Sequence, residues 1–278
     1  MIRTKVAAPP LPHRQGRVDP AAYDIILINT SGGKDSQAMM DLVCGLARRA
    51  AALDRVTALH CALGEVELPG TVELAELHAR QYGVRFEVRS RPQDLLAQVE
   101  ARGMWPSAQA RFCSSDQKRG PKHRLITQLT AELGLDRPAR VLDCTGERAQ
   151  ESKARAAKPG YAFNTAASTH TTRHVWTWRP IHGWSARTVW QRITASGVPY
   201  HWAYDEGMTR LSCSLCVLGS RADLTRACQL RPDLAHRYAD LEARIGHRFR
   251  ADLSITDIIT AAQTAPIPAS SRTLALTV

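Results

Sequence analysis

The chain has 278 residues, of which 44% are hydrophobic and 23% are charged, a composition typical of a soluble globular protein. Its net charge of +11 favours polyanionic partners such as nucleic acid or phosphorylated small molecules. No apolar stretch reaches the roughly 18 residues that a membrane helix needs, and residues 1–20 lack the apolar core of a secretory signal, so a cytoplasmic location without membrane contact is expected.

The N-terminal half alternates between strand-like and helix-like segments. Short apolar runs bounded by polar residues predict buried strands at Tyr23–Thr30, Arg55–Leu63, Val84–Ser90 and 139–144. Apolar residues at helical spacing predict helices at 36–53, 71–83 and 92–105. Strands that alternate with helices indicate βαβ units with right-handed crossovers, so the expected fold class is α/β with a mostly parallel sheet.

The pattern changes at about residue 165. Four of the six tryptophans lie between residues 176 and 190, where we expect them to be core residues. The segment 184–197 predicts a helix capped by Ser185 and ended by Gly197, and two further helices are expected around Pro232. A helical region is therefore expected to follow the α/β part.

A polar turn, Ser31-Gly32-Gly33-Lys34-Asp35-Ser36, joins the first predicted strand to the first predicted helix. Its glycines let backbone N–H groups approach an anion, and the helix N-terminus and Lys34 add positive charge. The serine hydroxyls can donate hydrogen bonds, and Asp35 can hold Mg²⁺ against phosphates. The turn is not a Walker A loop, because Ile28 stands where that loop has its first glycine. The sequence predicts a phosphate site of another kind.

The chain has seven cysteines, which are not expected to form disulfides in a cytosolic protein of this size. Cys213 and Cys216 form its one C-x-x-C pair, which indicates metal, cluster or redox chemistry. Cys44 and Cys61 are expected to be structural.

Several segments, in this order, resemble the phosphoadenosine-phosphosulfate reductase branch of the adenine nucleotide α-hydrolase superfamily. They are the SGGKDS loop, the Cys-x-x-x-x-Lys-x-x-Pro segment in Arg111–Pro121, the G-x-R-x-x-E-S-x-x-R-A motif at 146–156, and a P-I-x-x-W-x-x-x-x-V-W segment that leads to the C-x-x-C pair. The resemblance implies a doubly wound, mostly parallel, five-stranded Rossmann-like sheet with a helical, cysteine-bearing C-terminal extension.

The resemblance also implies an adenine nucleotide, ATP or a sulfonucleotide, bound with Mg²⁺. The implied catalytic residues are Lys34, Asp35 and Arg148. The implied nucleotide contacts are Ser31, Gly32, Gly33, Lys34, Asp35, Ser36, His60, Lys118, Gly146, Arg148 and Glu151. Glu151 has three open interpretations, since it could orient Arg148, bind metal or form a surface salt bridge.

Iron–sulfur members of the family hold a [4Fe–4S] cluster through cysteines in the regions of Cys113 and the C-x-x-C pair. The implied ligands here are Cys113, Cys213, Cys216 and, as the fourth, Cys228; Cys144 or an open iron are the alternatives. Zinc is the alternative metal. Ser114 stands where adenylyl-sulfate reductases have a second adjacent cysteine.

The intact loop and the absence of a cysteine after Cys228 favour ATP cleavage over sulfonucleotide reduction. We therefore predict an ATP pyrophosphatase-type sulfurtransferase that cleaves ATP between its α- and β-phosphates, adenylates an acceptor and takes part in iron–sulfur-dependent sulfur transfer. DNA or tRNA is the candidate acceptor, and a cysteine desulfurase is the candidate sulfur donor. The alternatives are a sulfonucleotide reductase that produces sulfite and a non-catalytic nucleotide- or nucleic-acid-binding module.

The expected organisation is an arm over 1–22, a PP-loop nucleotide-binding α/β domain over 23–164, a helical C-x-x-C region over 165–262 and a tail over 263–278. Four basic residues could steer a nucleic-acid backbone, namely Lys118, Arg119, Lys122 and Arg124. For Lys118 we favour neutralisation of the nucleotide or cluster. The sequence leaves the oligomeric state open, with a homo-oligomer among the options.

Overall fold

The computed structural model describes residues 17–266, together with Val6 and the two residues 13–14. Most of the predicted arm and the tail after residue 266 lie outside the described residues. The strands are β1 His13–Arg14, β2 Arg17–Val18, β3 Ile25–Thr30, β4 Val56–Cys61, β5 Arg85–Arg89, β6 Ala139–Cys144, β7 Tyr161–Phe163 and β8 Arg173–Trp178.

The helices follow the predicted ones closely at several boundaries. They are α1 Lys34–Arg49, α2 Thr71–Tyr82, α3 Leu95–Arg102, α4 Phe112–Ser114, α5 Gly120–Leu133, α6 Lys153–Ala156, α7 Ala186–Ser196, α8 Arg221–Leu230, α9 Pro232–Ile245 and α10 Ile255–Thr264. As predicted, Ser185 caps α7 through its side chain and Gly197 ends it in the left-handed conformation. Pro232 begins α9.

The main sheet has the strand order β5-β4-β3-β6-β8-β7. Strand β3 lies between β4 and β6 and is parallel to both, and β8 is parallel to β6. The predicted α/β class with a mostly parallel sheet is therefore confirmed. The sheet has six strands where the sequence predicted five, because β7 adds an antiparallel strand beside β8.

The tryptophan-rich segment supplies β8 and part of the core. Trp176 is 1% exposed, and its ring meets that of Tyr23 edge-on at 5.8 Å between centroids. Trp178, Trp184 and Trp190 pack against the same core. Trp176 is thus a core residue, as expected, and the other three are partly buried against that core.

The chain divides into two compact units, and each combines three chain segments. The first, the sheet unit, comprises Met1–His60, Val72–Arg89 and Lys122–Tyr200. The second, the helical unit, comprises Cys61–Thr71, Ser90–Pro121 and His201–Val278. Each unit has its own apolar core. The predicted domains were contiguous, whereas both units are interleaved along the sequence.

Among the described residues, no helix combines the length and the apolar character needed to cross a bilayer.

Candidate functional site

The predicted phosphate loop lies in the sheet unit, where β3 ends and α1 begins. Gly32 adopts φ +68°, a conformation that favours glycine. The Ser36 hydroxyl accepts a hydrogen bond from the Ser31 N–H at 3.1 Å and donates one to the Gly33 carbonyl at 2.8 Å, which closes the turn. Gly33 is the N-cap of the 16-residue helix α1 and supplies no side-chain acceptor. The loop thus presents a helix N-terminus suited to an anion.

Two cations meet on the carboxylate of Asp35. The Lys34 ammonium lies 3.0 Å from Asp35 Oδ2, and the Arg148 guanidinium Nε lies 2.6 Å from Asp35 Oδ1. The side chains of Lys34 and Arg148 are 9% and 6% exposed, so both charges are held in a largely buried setting. The structure therefore brings the three residues predicted to be catalytic into one chain of contacts.

Gly146 lies directly against the phosphate loop. A Cβ atom at this position would lie 3.0 Å from the Asp35 carbonyl oxygen and 3.1 Å from the Ser36 nitrogen. Such contacts are tighter than normal packing allows, so a side chain here would push on the loop. The close approach explains why the segment after β6 carries glycine at this position.

The residues that follow Gly146 are fixed by acidic side chains. Glu151 Oε2 accepts a hydrogen bond from the Arg148 backbone N–H at 2.7 Å, and Glu151 Oε1 pairs with Arg155, so the orienting and the salt-bridge interpretations both have a contact. Glu147 contacts Lys158 and Arg179, each at 2.7 Å. Burial alone would raise the pKa of Glu147, but hydrogen bonds from these two cations outweigh it and lower the pKa to about 2.

A buried ion pair not singled out in the sequence lies at the ends of β3 and β6. The Asp143 carboxylate is 1% exposed and bonds to the Lys122 ammonium at 2.6 Å and to the Asn29 amide at 2.6 Å. Lys122, a candidate for nucleic-acid contact, is instead paired inside the sheet unit. The available signal was the presence of Asn29 and Asp143 near the carboxyl ends of two apolar strands.

His60 is buried at 1% exposure near the end of β4, where it pairs in register with Thr30, just before the phosphate loop. This position agrees with the expected location at the carboxyl edge of the sheet.

Cys113 lies in the helical unit, in the short helix α4. The chain continues into a π-helical turn, Ser115–Arg119. The turn begins two residues after Cys113 and contains Lys118, and π turns recur at functional sites.

The C-x-x-C pair lies in a tight loop. Cys213 forms an isolated antiparallel bridge with Glu67, and the Ser214 N–H donates to the Val66 carbonyl at 2.7 Å. The Gly219 N–H donates to the Cys216 carbonyl at 2.6 Å, and a Cβ on Gly219 would lie 2.9 Å from that oxygen. The backbone around both cysteines is therefore closely packed.

The three predicted thiol ligands all belong to the helical unit, and Cys113 and Cys216 both act on the pKa of Cys213. Burial raises the pKa of Cys213 to about 12; the Cys216 and Cys113 thiolates also raise it, while the Lys118 ammonium lowers it. Among the described residues, no group of three or more His, Cys, Asp or Glu side chains is arranged so that it could hold a metal ion. The ligand set stays a prediction.

One candidate for the fourth ligand lies in the helical unit with these three cysteines, and the other lies in the sheet unit. Cys228 packs in the core of the helical unit, where burial raises its pKa to about 12 and no neighbouring charge contributes. Cys144 ends β6 in the sheet unit, where burial raises its pKa and the neighbouring Asp143 and Cys44 raise it further. Cys61, which was expected to be structural, is partly exposed and donates to the Lys118 carbonyl at 3.5 Å.

The chemistry of the side chains, as distinct from their arrangement, is compatible with an iron–sulfur cluster. Thiolates are soft ligands suited to such clusters. The Ser214 and Tyr238 hydroxyls in the same unit are buried, and no described residue accepts a hydrogen bond from either. Three thiols with unmatched donors in the same unit are chemically compatible with a sulfur-rich group.

The sheet order and the turn between β3 and α1 place the chain among Rossmann-like α/β proteins. The profile of the phosphoadenosine phosphosulfate reductase domain matches residues 25–218. The chain belongs to this family, as the resemblance predicted.

The chain is similar to three further proteins, each over part of its length. The adenosine 5′-phosphosulfate reductase of Allochromatium vinosum is 28% identical over 151 residues, which is 52% of each chain. Phosphoadenylyl-sulfate reductase from Candida auris covers 70% of this chain and 88% of its own at 16% identity, with a TM-score of 0.46. The U34-tRNA thiolase NcsA from Methanococcus maripaludis, solved with its [4Fe–4S] cluster, covers 88% of this chain and 74% of its own at 13% identity, with a TM-score of 0.42.

The chain spans about half the length, or less, of the curated relatives that it matches, from 40% to 52%.

Proposed function

We propose that the protein is an ATP pyrophosphatase-type sulfurtransferase, which adenylates an acceptor and then exchanges the adenylate for sulfur. The observation that carries this proposal is the contact between the intact SGGKDS loop and the Gly146–Arg148 segment, with Lys34 and Arg148 converging on Asp35. A loop built to hold a pyrophosphate and flanked by two cations supports cleavage of ATP between the α- and β-phosphates.

In the proposed first step, an oxygen of the acceptor attacks the α-phosphorus of ATP. The bond from that phosphorus to the bridging oxygen breaks, and pyrophosphate leaves with the electron pair. The N–H groups at the start of α1 and the Lys34 ammonium stabilise the charge that develops on the leaving group. Arg148 is the second cation for this charge, and Mg²⁺ would share it.

Asp35 has a different role in this arrangement from the one expected first. Both of its carboxylate oxygens are engaged with cations, Oδ1 with Arg148 and Oδ2 with Lys34. We assign it to positioning these two side chains rather than to holding Mg²⁺ alone. His60 and Glu151 complete the proposed site, His60 beside the nucleotide and Glu151 through the Arg148 backbone.

In the proposed second step, a sulfur nucleophile displaces AMP from the adenylated acceptor. Cys113, Cys213 and Cys216 would hold an iron–sulfur cluster, and Lys118 would offset its negative charge. When bound, such a cluster supplies a site at which sulfide can be carried. Cys228 belongs to the core against which Cys113 and Cys213 pack and is the proposed fourth ligand, and an open position is the alternative.

The proposed acceptor is a nucleic acid, DNA or tRNA, and the proposed sulfur source is a cysteine desulfurase. Three exposed basic residues near Cys113 or at the start of α5 support a polyanionic acceptor, namely Lys118, Arg119 and Arg124. Lys122 is removed from this set by its ion pair with Asp143.

The test is pyrophosphate release from ATP by anaerobically reconstituted protein, with tRNA or DNA and a sulfur donor present. Lys34→Ala should lower the rate by at least about 100-fold, since it removes the ammonium that stabilises the negative charge on the leaving pyrophosphate. Lys153→Ala, which changes an exposed lysine of the same unit, is the matched control and should keep the wild-type rate. Absence of pyrophosphate release with every acceptor would refute the proposal.

The second candidate is a sulfonucleotide reductase, which the likeness to the Allochromatium vinosum enzyme favours. This candidate predicts sulfite from adenosine 5′-phosphosulfate and a thiol, with no release of pyrophosphate. The two reactions are thus separated by their products.

A further inference from the structure

Tyr238 is a buried polar aromatic residue of the helical unit. It lies in α9 and is 1% exposed. Its ring stacks on that of Trp105 at 5.1 Å between centroids and an interplanar angle of 16°, and it meets Phe249 edge-on at 6.4 Å. The ring is therefore held in one orientation by its neighbours.

The Tyr238 hydroxyl is buried, and no described residue accepts a hydrogen bond from it. The Ser214 hydroxyl, on a residue 3% exposed, is in the same condition. Buried hydroxyls are almost always paired, because an unpaired one loses its bonds to water without replacement. In the sheet unit the buried Tyr82 follows this rule, since its hydroxyl donates to Asp41 at 3.0 Å.

The surroundings of these two hydroxyls indicate the missing acceptor. Ser214 lies between the two cysteines of the C-x-x-C pair. Tyr238 belongs to the core against which Cys113 and Cys213 pack. Burial raises the pKa of Tyr238, and the nearby Cys213, Cys216, Glu65 and Cys113 raise it further. The unmatched donors and the three thiols therefore share one region of the helical unit.

We propose that the hydroxyls of Tyr238 and Ser214 donate hydrogen bonds to sulfur atoms of an iron–sulfur cluster held by Cys113, Cys213 and Cys216. This inference rests on the proposed function. Tyr238 is a positioning residue in this scheme, since it acts on the electron-rich sulfur and not on the acceptor. Hydrogen bonds to cluster sulfur favour the reduced, more negative state and shield the cluster.

The proposal has a consequence of opposite sign in the empty and the loaded protein. Without the cluster, the Tyr238 hydroxyl costs stability, so Tyr238→Phe should raise the thermal midpoint by about 2–4 °C. With the cluster, the same change removes a hydrogen bond, so the cluster should be held less tightly. If the hydroxyl had no such role, Tyr238→Phe would change the stability of the protein in the same direction with and without the cluster.

The experiment uses the full chain, reconstituted anaerobically with iron and sulfide, as wild type, Tyr238→Phe and the control Tyr82→Phe. Iron content and the visible spectrum are measured first, then the rate of iron loss to a chelator and the reduction potential. We expect Tyr238→Phe to lose iron at least about 10-fold faster. We also expect its reduction potential to fall by about 59 mV, which corresponds to a tenfold smaller equilibrium constant for one-electron reduction. Tyr82→Phe should lower the midpoint of the empty protein and leave the cluster unchanged.

Two failures are distinguishable in this design. If the wild-type protein takes up no iron–sulfur cluster, the cluster in the proposed function and this inference both fall. If the wild type binds the cluster and Tyr238→Phe matches it in iron loss and potential, this inference alone is overturned. Ser214→Ala is measured in the same way, and supplies the answer should Tyr238→Phe not fold.

Discussion

The substitution Gly146→Ala tests whether the segment after β6 sets the shape of the phosphate loop. It adds one methyl group to a residue that makes no side-chain contact of its own. That methyl would lie 3.0 Å from the Asp35 carbonyl oxygen and 3.1 Å from the Ser36 nitrogen. Both neighbours are backbone atoms of the first turn of α1, so they cannot move aside as a side chain would.

The size of the effect follows from these distances. Favourable non-bonded contacts lie at about 3.5 Å or more, so the loop and the Gly146 segment must separate by about half an ångström. Overpacking of this kind costs about 1–3 kcal/mol of unfolding free energy. A displacement of 1 Å in a binding site can cost about 100-fold, so a shift of half that size should weaken ATP binding by about tenfold.

The assay is equilibrium binding of Mg²⁺–ATP together with urea unfolding of the same preparations. Gly183→Ala is the matched control, because Gly183 lies in the same unit and a Cβ there would meet no atom within 4 Å. The control should match wild type in both measurements. If Gly146→Ala binds Mg²⁺–ATP within about twofold of wild type and is equally stable, the close approach has no functional weight and the reasoning is refuted.

Three further outcomes are expected. Glu147→Gln should lower the free energy of unfolding by up to about 3 kcal/mol near pH 7, because the pKa of the wild-type carboxyl is lowered to about 2. The difference in stability between variant and wild type should persist above the ordinary carboxyl pKa and vanish as the pH falls from about 4.5 to 2, which urea unfolding at several pH values measures. Asp143→Asn should lower the free energy of unfolding by about 3 kcal/mol, because it leaves the Lys122 charge buried without its carboxylate. The double variant Asp143→Leu with Lys122→Met should recover most of that loss, and equal losses in both variants would show that the buried charge is not the cause. Gly219→Ala should lower the thermal midpoint, because its Cβ would lie 2.9 Å from the Cys216 carbonyl oxygen, and an unchanged midpoint would show that this turn has room.

Local signals in the sequence predicted much of the sheet unit. Apolar runs located β3 and β4, and the polar segment 31–36 was correctly placed at the junction of β3 and α1, because all of its parts are contiguous. Strand β7 was missed, since its three residues are too few to show a period. Strand β8 was missed because its tryptophans gave no clear apolar alternation. These two strands owe their state to pairing with each other and with β6.

Features that depend on distant residues could not be predicted from local patterns. The ion pair of Lys122 with Asp143 joins a helix to a strand; the strand end marks Asp143 as a candidate, but nothing in the local sequence marks Lys122 as its partner. The position of Tyr238 near the cysteines depends on the packing of α9, which begins at Pro232, 16 residues after Cys216. The sequence pattern predicted the helix α9, but it could not show that the buried Tyr238 hydroxyl lacks a hydrogen-bond acceptor among the described residues.

The interleaving of the two units constrains the order in which the protein acquires its structure during synthesis. The chain passes from one unit to the other five times, at the segment boundaries near residues 60, 71, 89, 121 and 200. Much of the helical core, including Leu224, Tyr238 and Ile258, comes from the last of these segments. Domains that are contiguous can fold one after another as they leave the ribosome. Here the segments 61–71 and 90–121 must wait for the end of the chain, so the Cys113 helix meets the cysteine-bearing loop late. Deletion of the final segment would remove that loop and leave the Cys113 helix without a core.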